Sequence, residues 1–127
     1  MKKIVITTKA PSAIGPYNQA TSFEKLVFTS GQIALDPKTM EIVNGGVQEQ
    51  TKQVMENLKA VLEEASSSFE NVLKTTCYLS DMDNFVAFNE IYGEYFNAQT
   101  APARSTVAVK TLPKNVLVEV DVIAYKN

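Results

Sequence analysis

Apolar positions along the chain recur with two periods. Val54, Leu58, Val61, Leu62 and Ala65 fall three or four residues apart, with Gln50, Lys52, Glu56, Lys59 and Glu63 mostly opposite, so this stretch predicts an amphipathic helix beginning after the break at Asn44-Gly45-Gly46. Phe85, Phe88, Tyr92, Tyr95 and Phe96 repeat the pattern and predict a second helix, with Ser80 and Asp81 as suitable N-caps and Asp83 suited to the positive end of the helix dipole. Ile4-Val5-Ile6, Leu26 to Ala34, Val72 to Leu79, Ser105 to Lys110 and Val116 to Tyr125 read as strands. Ser66-Ser67-Ser68 is a helix-to-strand connection. Strands, helix, strand, helix and strands again make an α+β layer: a sheet with two helices on one face.

The last strand carries the most information. Val116, Val118, Val120, Val122 and Ala124 alternate to one side, an unbroken apolar face suited to lie under the helices. Leu117, Glu119, Asp121, Ile123 and Tyr125 alternate to the other, a face too apolar for plain solvent and too acidic for a dry core. A second protomer covering that face resolves the conflict, so an oligomer is expected. Pro113 and Asn115 in the segment Thr111 to Asn115 suit a hairpin joining Ser105–Lys110 to this strand. In the simplest hairpin register Val107 and Val109 share the apolar face, Thr106 lies opposite Glu119 and Arg104 opposite Asp121. A guanidinium, a hydroxyl and two carboxylates then converge on the uncovered face, a candidate pocket.

Composition narrows the chemistry. The 127 residues are 45% hydrophobic and 20% charged, the balance of one globular domain spanning 1–127. A formal charge of -2 gives no bulk positive field for nucleic acid or anionic membrane, and no apolar run reaches the roughly 20 residues a spanning helix needs. Only three apolar residues follow Met1-Lys2-Lys3 before Thr7-Thr8, too few for a signal-peptide core. The lone Cys77 excludes an intramolecular disulfide, and a reducing cytoplasm is the expected compartment. The absence of histidine removes Ser-His-Asp and Cys-His catalysis and the HExxH zinc site. Proton chemistry is left to carboxylates, Tyr, Lys, hydroxyls and water.

Ala13-Ile14-Gly15-Pro16-Tyr17, Thr29-Ser30-Gly31-Gln32-Ile33, Ser80-Asp81-Met82 leading to Phe85 and Asn89, Ala101-Pro102-Ala103-Arg104-Ser105, Leu112-Pro113 and Val118-Glu119-Val120 follow one another in an order that covers the whole chain. With these motifs the sequence resembles the RidA/YjgF family of enamine/imine deaminases. The resemblance implies a chorismate-mutase-like α+β protomer, a homotrimer whose sheets form a central β-barrel, and active sites in the clefts between subunits. It implies hydrolysis of 2-aminoacrylate, through 2-iminopropanoate, and of 2-iminobutanoate to the 2-oxo acid and ammonia, a metabolite damage-control reaction that needs no cofactor and no metal. Arg104 is then the anchor of the substrate carboxylate, its planar fork suited to both oxygens. Glu119 handles the attacking water and the departing nitrogen, with burial expected to raise its pKa. Tyr17 covers the substrate, Ser30 and Gly31 supply hydroxyl and backbone contacts, and Asn89 hydrogen-bonds within the pocket. Thr106 stands where members of the best-studied branch carry Cys, and is expected to line the pocket.

Each of these residues has a plainer role open to it. An arginine is more often a solvated surface charge, and a glutamate within a strand can guard against aggregation or form half of a structural ion pair. Ser30-Gly31 suits a bulge, Cys77 a small buried apolar residue, and the aromatic stripe from Phe85 to Phe96 a core. Two other functions compete: a non-catalytic trimer that binds a small acid and regulates a metabolic enzyme, and an RNA-cleaving protein. The acidic charge balance and the lack of a basic aromatic groove argue against the latter.

Overall fold

The computed structural model describes residues 1–127. Six strands, β1 (Lys3–Val5), β2 (Ala20–Phe23), β3 (Leu26–Thr29), β4 (Val72–Leu79), β5 (Ala103–Ala108) and β6 (Val118–Tyr125), form one mixed sheet in the order β1-β2-β3-β6-β4-β5. All neighbours are antiparallel except β4 and β5. Helices α1 (Val47–Glu64) and α2 (Phe85–Tyr92) pack on each other, and α1 lies against β6.

The two-faced strand behaves as its alternation requires. Val116 is buried, and Val118, Val120, Val122 and Ala124 join Val54, Leu58, Val61, Leu62, Ala65, Leu79 and Phe88 in the core under the helices. On the opposite face Leu26, Phe28 and Tyr125 remain exposed, as does Phe23 at 52%, so one protomer leaves an apolar sheet surface uncovered. Helix α1 starts at Gly46, whose backbone N–H donates to Glu49 Oε1 at 2.8 Å.

Three expectations need correction. The helix predicted through Phe96 stops at Tyr92. Tyr95 and Phe96 lie beyond it and stack edge-on against Phe69 at 5.4 and 5.3 Å, so their spacing reports shared burial rather than one helix. Strand β2 interrupts what reads as a loop, and β3 ends at Thr29 rather than Ala34, with Gln32 making only an isolated bridge to Val120. Most consequentially, β5 and β6 do not form a hairpin. Strand β4 lies between them, parallel to β5 and antiparallel to β6, and residues 109–117 cross its end through a turn at Pro113–Asn115. Alternating burial along β4 suits an interior strand, which displaces the shorter β5 to the edge. No helix is long and apolar enough to cross a membrane.

The long N-terminal loop is held by one amide. Buried Gln19 accepts from Thr7 N–H at 2.7 Å and donates through Nε2 to the carbonyls of Thr7, Ala10 and Pro11 at 3.0, 3.2 and 2.8 Å. Gln19→Leu leaves these groups unpaired and is expected to lower unfolding stability by about 2–3 kcal/mol in urea titrations. Faster amide exchange should be confined to residues 7–18.

Candidate functional site

Two recesses carry the polar residues singled out above. The first, a cavity of about 560 Å³, lies where the N-terminal loop, the segment after β3 and the start of β6 meet. Tyr17, Ser30, Gly31 and Glu119 line it, together with Pro113 and Lys114. Ser30 Oγ donates to the Asn18 carbonyl at 2.5 Å and so ties the β3 segment to the loop bearing Tyr17. Tyr17 is 48% exposed, and its phenol oxygen accepts from the Ile14 N–H at 3.2 Å. Gly31 lies against Glu119: a Cβ there would overlap the carboxylate in its present position and force that side chain to move. Helix α1 braces the far wall, with Asn57 Nδ2 donating to the carbonyls of Ile33 and Leu35 and Gln50 Oε1 accepting from Leu117 N–H at 2.8 Å.

The second recess sits at the β5 edge beside α2, where Met82, Phe85, Val86, Arg104 and Thr106 surround it. Arg104 donates through Nη1 to Asn89 Oδ1 at 2.7 Å. Its guanidinium lies 4.7 Å from the centroid of the Tyr92 ring and 5.4 Å from that of Phe85.

The recesses open on opposite faces of the sheet. Cross-strand partners share a face, and Arg104 pairs with Thr75, which pairs with Val122; Thr106 pairs with Cys77, which pairs with Val120. Arg104 and Thr106 therefore project to the helix side. Glu119 pairs with Tyr78, which pairs with Val107, and projects to the uncovered side. The expected placement of Arg104 and Thr106 opposite Asp121 and Glu119 is thus overturned, as is that of Val107 on the apolar face, because inserting β4 between the two strands replaces the assumed register. Within one protomer Tyr17, Ser30, Gly31 and Glu119 are together, Asn89, Arg104 and Thr106 are together, and the two groups are apart.

Electrostatics separates the titratable groups. Burial, and secondarily the neighbouring Asp121 charge, pushes the Glu119 carboxyl above the ordinary carboxylate range. Burial also raises Asp121, against the lowering effect of the Tyr78 hydroxyl, which donates to its Oδ2 at 3.3 Å. The Cys77 thiol, buried beneath the sheet, is pushed up to about 11, which keeps it protonated and unreactive. The Thr106 Oγ1 is buried without a hydrogen-bond partner. Nowhere do three or more of His, Cys, Asp and Glu gather as a metal site would require.

Sequence reading missed three contributors. Lys114 enters the Glu119 cavity on a backbone with φ of 55°, followed by Asn115 at 56°; the Pro113-Lys114-Asn115 turn signal was present but was assigned to a hairpin. Gln19 and Gln50 appear in the sequence as ordinary polar residues, and only their burial marks them.

Fold and recesses define a class: a small α+β protomer that presents a carboxylate cavity on one face and an arginine recess on the other. The family model described as Endoribonuclease L-PSP matches residues 7–126. A RutC family protein of Synechocystis is 57% identical over 123 residues, 96% of this chain and 95% of that protein. The 2-iminobutanoate/2-iminopropanoate deaminase of Mus musculus is 45% identical over 124 residues, 98% of this chain and 91% of its own length. The crystal structure of E. coli TdcF with bound serine is similar with a TM-score of 0.91 at 41% identity, covering 98% of this chain and 99% of that one. The chain belongs to the RidA/YjgF/L-PSP family.

The raised carboxyls have a definite pH signature. With the folded pKa above the unfolded one, the native state binds more protons, so the contribution of Glu119 and Asp121 is most favourable below the ordinary carboxylate range. It declines as pH rises through and above that range. Asp121→Asn removes the like charge but not the burial. In carboxyl-carbon NMR titrations of this variant Glu119 should titrate lower than in the parent, yet still above an exposed glutamate.

Proposed function

We propose that this chain hydrolyses small 2-imino acids, 2-iminopropanoate and 2-iminobutanoate, to the 2-oxo acid and ammonia, in clefts shared between the protomers of a homotrimer. The observation that carries the reading is the division of the site. Arg104 and Glu119 are the charged pair suited to this chemistry, yet they stand on opposite faces of one sheet, each beside an open recess. Only a neighbouring protomer brings one to the other. The uncovered apolar face supports such an assembly, and the family resemblance supports three copies and a barrel formed by their sheets. The kinship with a 2-iminobutanoate/2-iminopropanoate deaminase supports the reaction.

The chemistry follows from the groups. Arg104 grips the substrate carboxylate with the N–H groups left free by Asn89, which fixes the imine carbon in place. Glu119, a carboxylate made more basic than usual by burial and by the nearby Asp121 charge, takes a proton from water. The water oxygen bonds to the imine carbon, the C=N π pair moves to nitrogen, and nitrogen takes a proton from solvent to give a carbinolamine. Glu119 then returns its proton to the amine nitrogen, the C–N bond breaks with its electron pair leaving on ammonia, and the hydroxyl gives its proton back to solvent as the carbonyl forms. Tyr17 closes over the ligand, Ser30 and the Gly31 backbone line the cavity, and Thr106 contributes shape rather than a nucleophile. The whole is expected to act in the cytoplasm, without cofactor or nucleic acid.

Light scattering should return three times the 14.0 kDa chain mass. Arg104→Ala is expected to abolish the acceleration of pyruvate release from dehydratase-generated 2-aminoacrylate while preserving the assembly, and Glu119→Gln to reduce the catalysed rate about 100-fold or more. A cleft that only binds an acid, the regulatory alternative, has no turnover for Glu119→Gln to lose. Co-refolding the two inactive variants in equal amounts restores intact Arg104–Glu119 sites in about a quarter of the clefts under random mixing. Recovery near that fraction is expected, whereas no recovery would show that each protomer carries its own complete site.

A further inference from the structure

Arg104 lies on an edge strand with a neighbour on one side only, where a long guanidinium side chain would normally sample many rotamers. Here it is confined by groups that leave its charge unspent. It donates a hydrogen bond to the neutral Asn89 amide, and its guanidinium carbon lies over the Tyr92 and Phe85 rings, 4.7 and 5.4 Å from their centroids. A carboxylate in either position would occupy the fork and cancel the charge needed for an incoming acid. An aromatic face attracts the cation through its quadrupole and consumes no N–H.

The Tyr92 ring is itself fixed from below. Its hydroxyl shares a 2.8 Å hydrogen bond with Thr75 Oγ1, both groups being buried. Thr75 is also the β4 residue paired with Arg104 in the parallel register, so one strand pair sets both the origin of the arginine and the height of the ring that receives it. Phe88, at 5.5 Å, and Phe96, at 4.9 Å, restrict the ring further.

We propose that Tyr92 is a positioning residue that holds the Arg104 fork ready for the substrate carboxylate through its ring face, with Thr75 locking that ring. The inference rests on the reading of Arg104 as carboxylate anchor. It assigns to Tyr92 a role beyond the core packing expected of an aromatic stripe.

The test replaces Tyr92 by phenylalanine and then by phenylalanines carrying increasing numbers of ring fluorines, which keep shape and size while draining the negative face. Each variant is assayed for kcat and KM with enzymatically generated 2-iminobutanoate, and for Kd with pyruvate as the probe. Tyr92→Phe should raise KM and the pyruvate Kd only a fewfold. Successive fluorines should raise both progressively, to about tenfold for the fully fluorinated ring, with kcat held within about twofold. A flat fluorine series overturns the proposal, because packing alone does not sense the quadrupole; a series that lowers kcat with KM unchanged overturns it as well. Arg104→Ala is measured alongside. If that variant binds and turns over normally, the anchor reading falls with it; if Arg104→Ala is inactive and the fluorine series is flat, only the role of Tyr92 falls.

Discussion

Strand β6 imposes the constraint on which the rest depends. It sits inside the sheet between β3 and β4, and its pleat sends alternate side chains to opposite faces. Val118, Val120 and Val122 must then enter the core beneath α1, and Glu119 and Asp121 must leave it. A slip by one residue would bury two carboxylates among the helices and expose three valines. Glu119 is held in its half-buried position by the same pairing that builds the core, so the site inherits the rigidity of the strand.

The second half of the site obeys the same alternation with the opposite outcome. Because Arg104 shares a face with Thr75 and Val122, it emerges on the helix side, beyond the end of the core, where α2 supplies Asn89, Phe85 and Tyr92. A single protomer thus owns both kinds of group and cannot use them together. In the proposed trimer, assembly supplies what folding withholds, and the apolar sheet face that the two helices leave open is the surface available for it.

Polar residues buried in the walls keep the Glu119 cavity in shape. Gln19 gathers the N-terminal loop, Ser30 binds that loop to the segment after β3, and Asn57 and Gln50 reach from α1 to the backbone on both sides. Each satisfies main-chain groups that no strand pairs, which is why irregular segments can remain ordered around a cavity. Gly31 completes the arrangement by leaving room for the carboxylate itself.

Much of this was legible in the residues alone. Helix α1, strand β4 and the two faces of β6 follow from periodicity, because burial on one side of a regular element leaves a repeating mark in sequence. The motifs around Tyr17, Ser30-Gly31, Arg104 and Glu119 likewise identify the family. What they do not record is strand order. Pairing between β4 and β5, and the placement of β4 between β5 and β6, depend on which edges meet in three dimensions, and a short connection with turn residues looks the same whether it closes a hairpin or crosses a neighbouring strand. That one topological choice reversed the face on which Arg104 stands. Local sequence determined what each element is and which side of it is apolar; the tertiary structure decided which elements touch, since hydrogen bonds between strands carry no trace in the residues that make them.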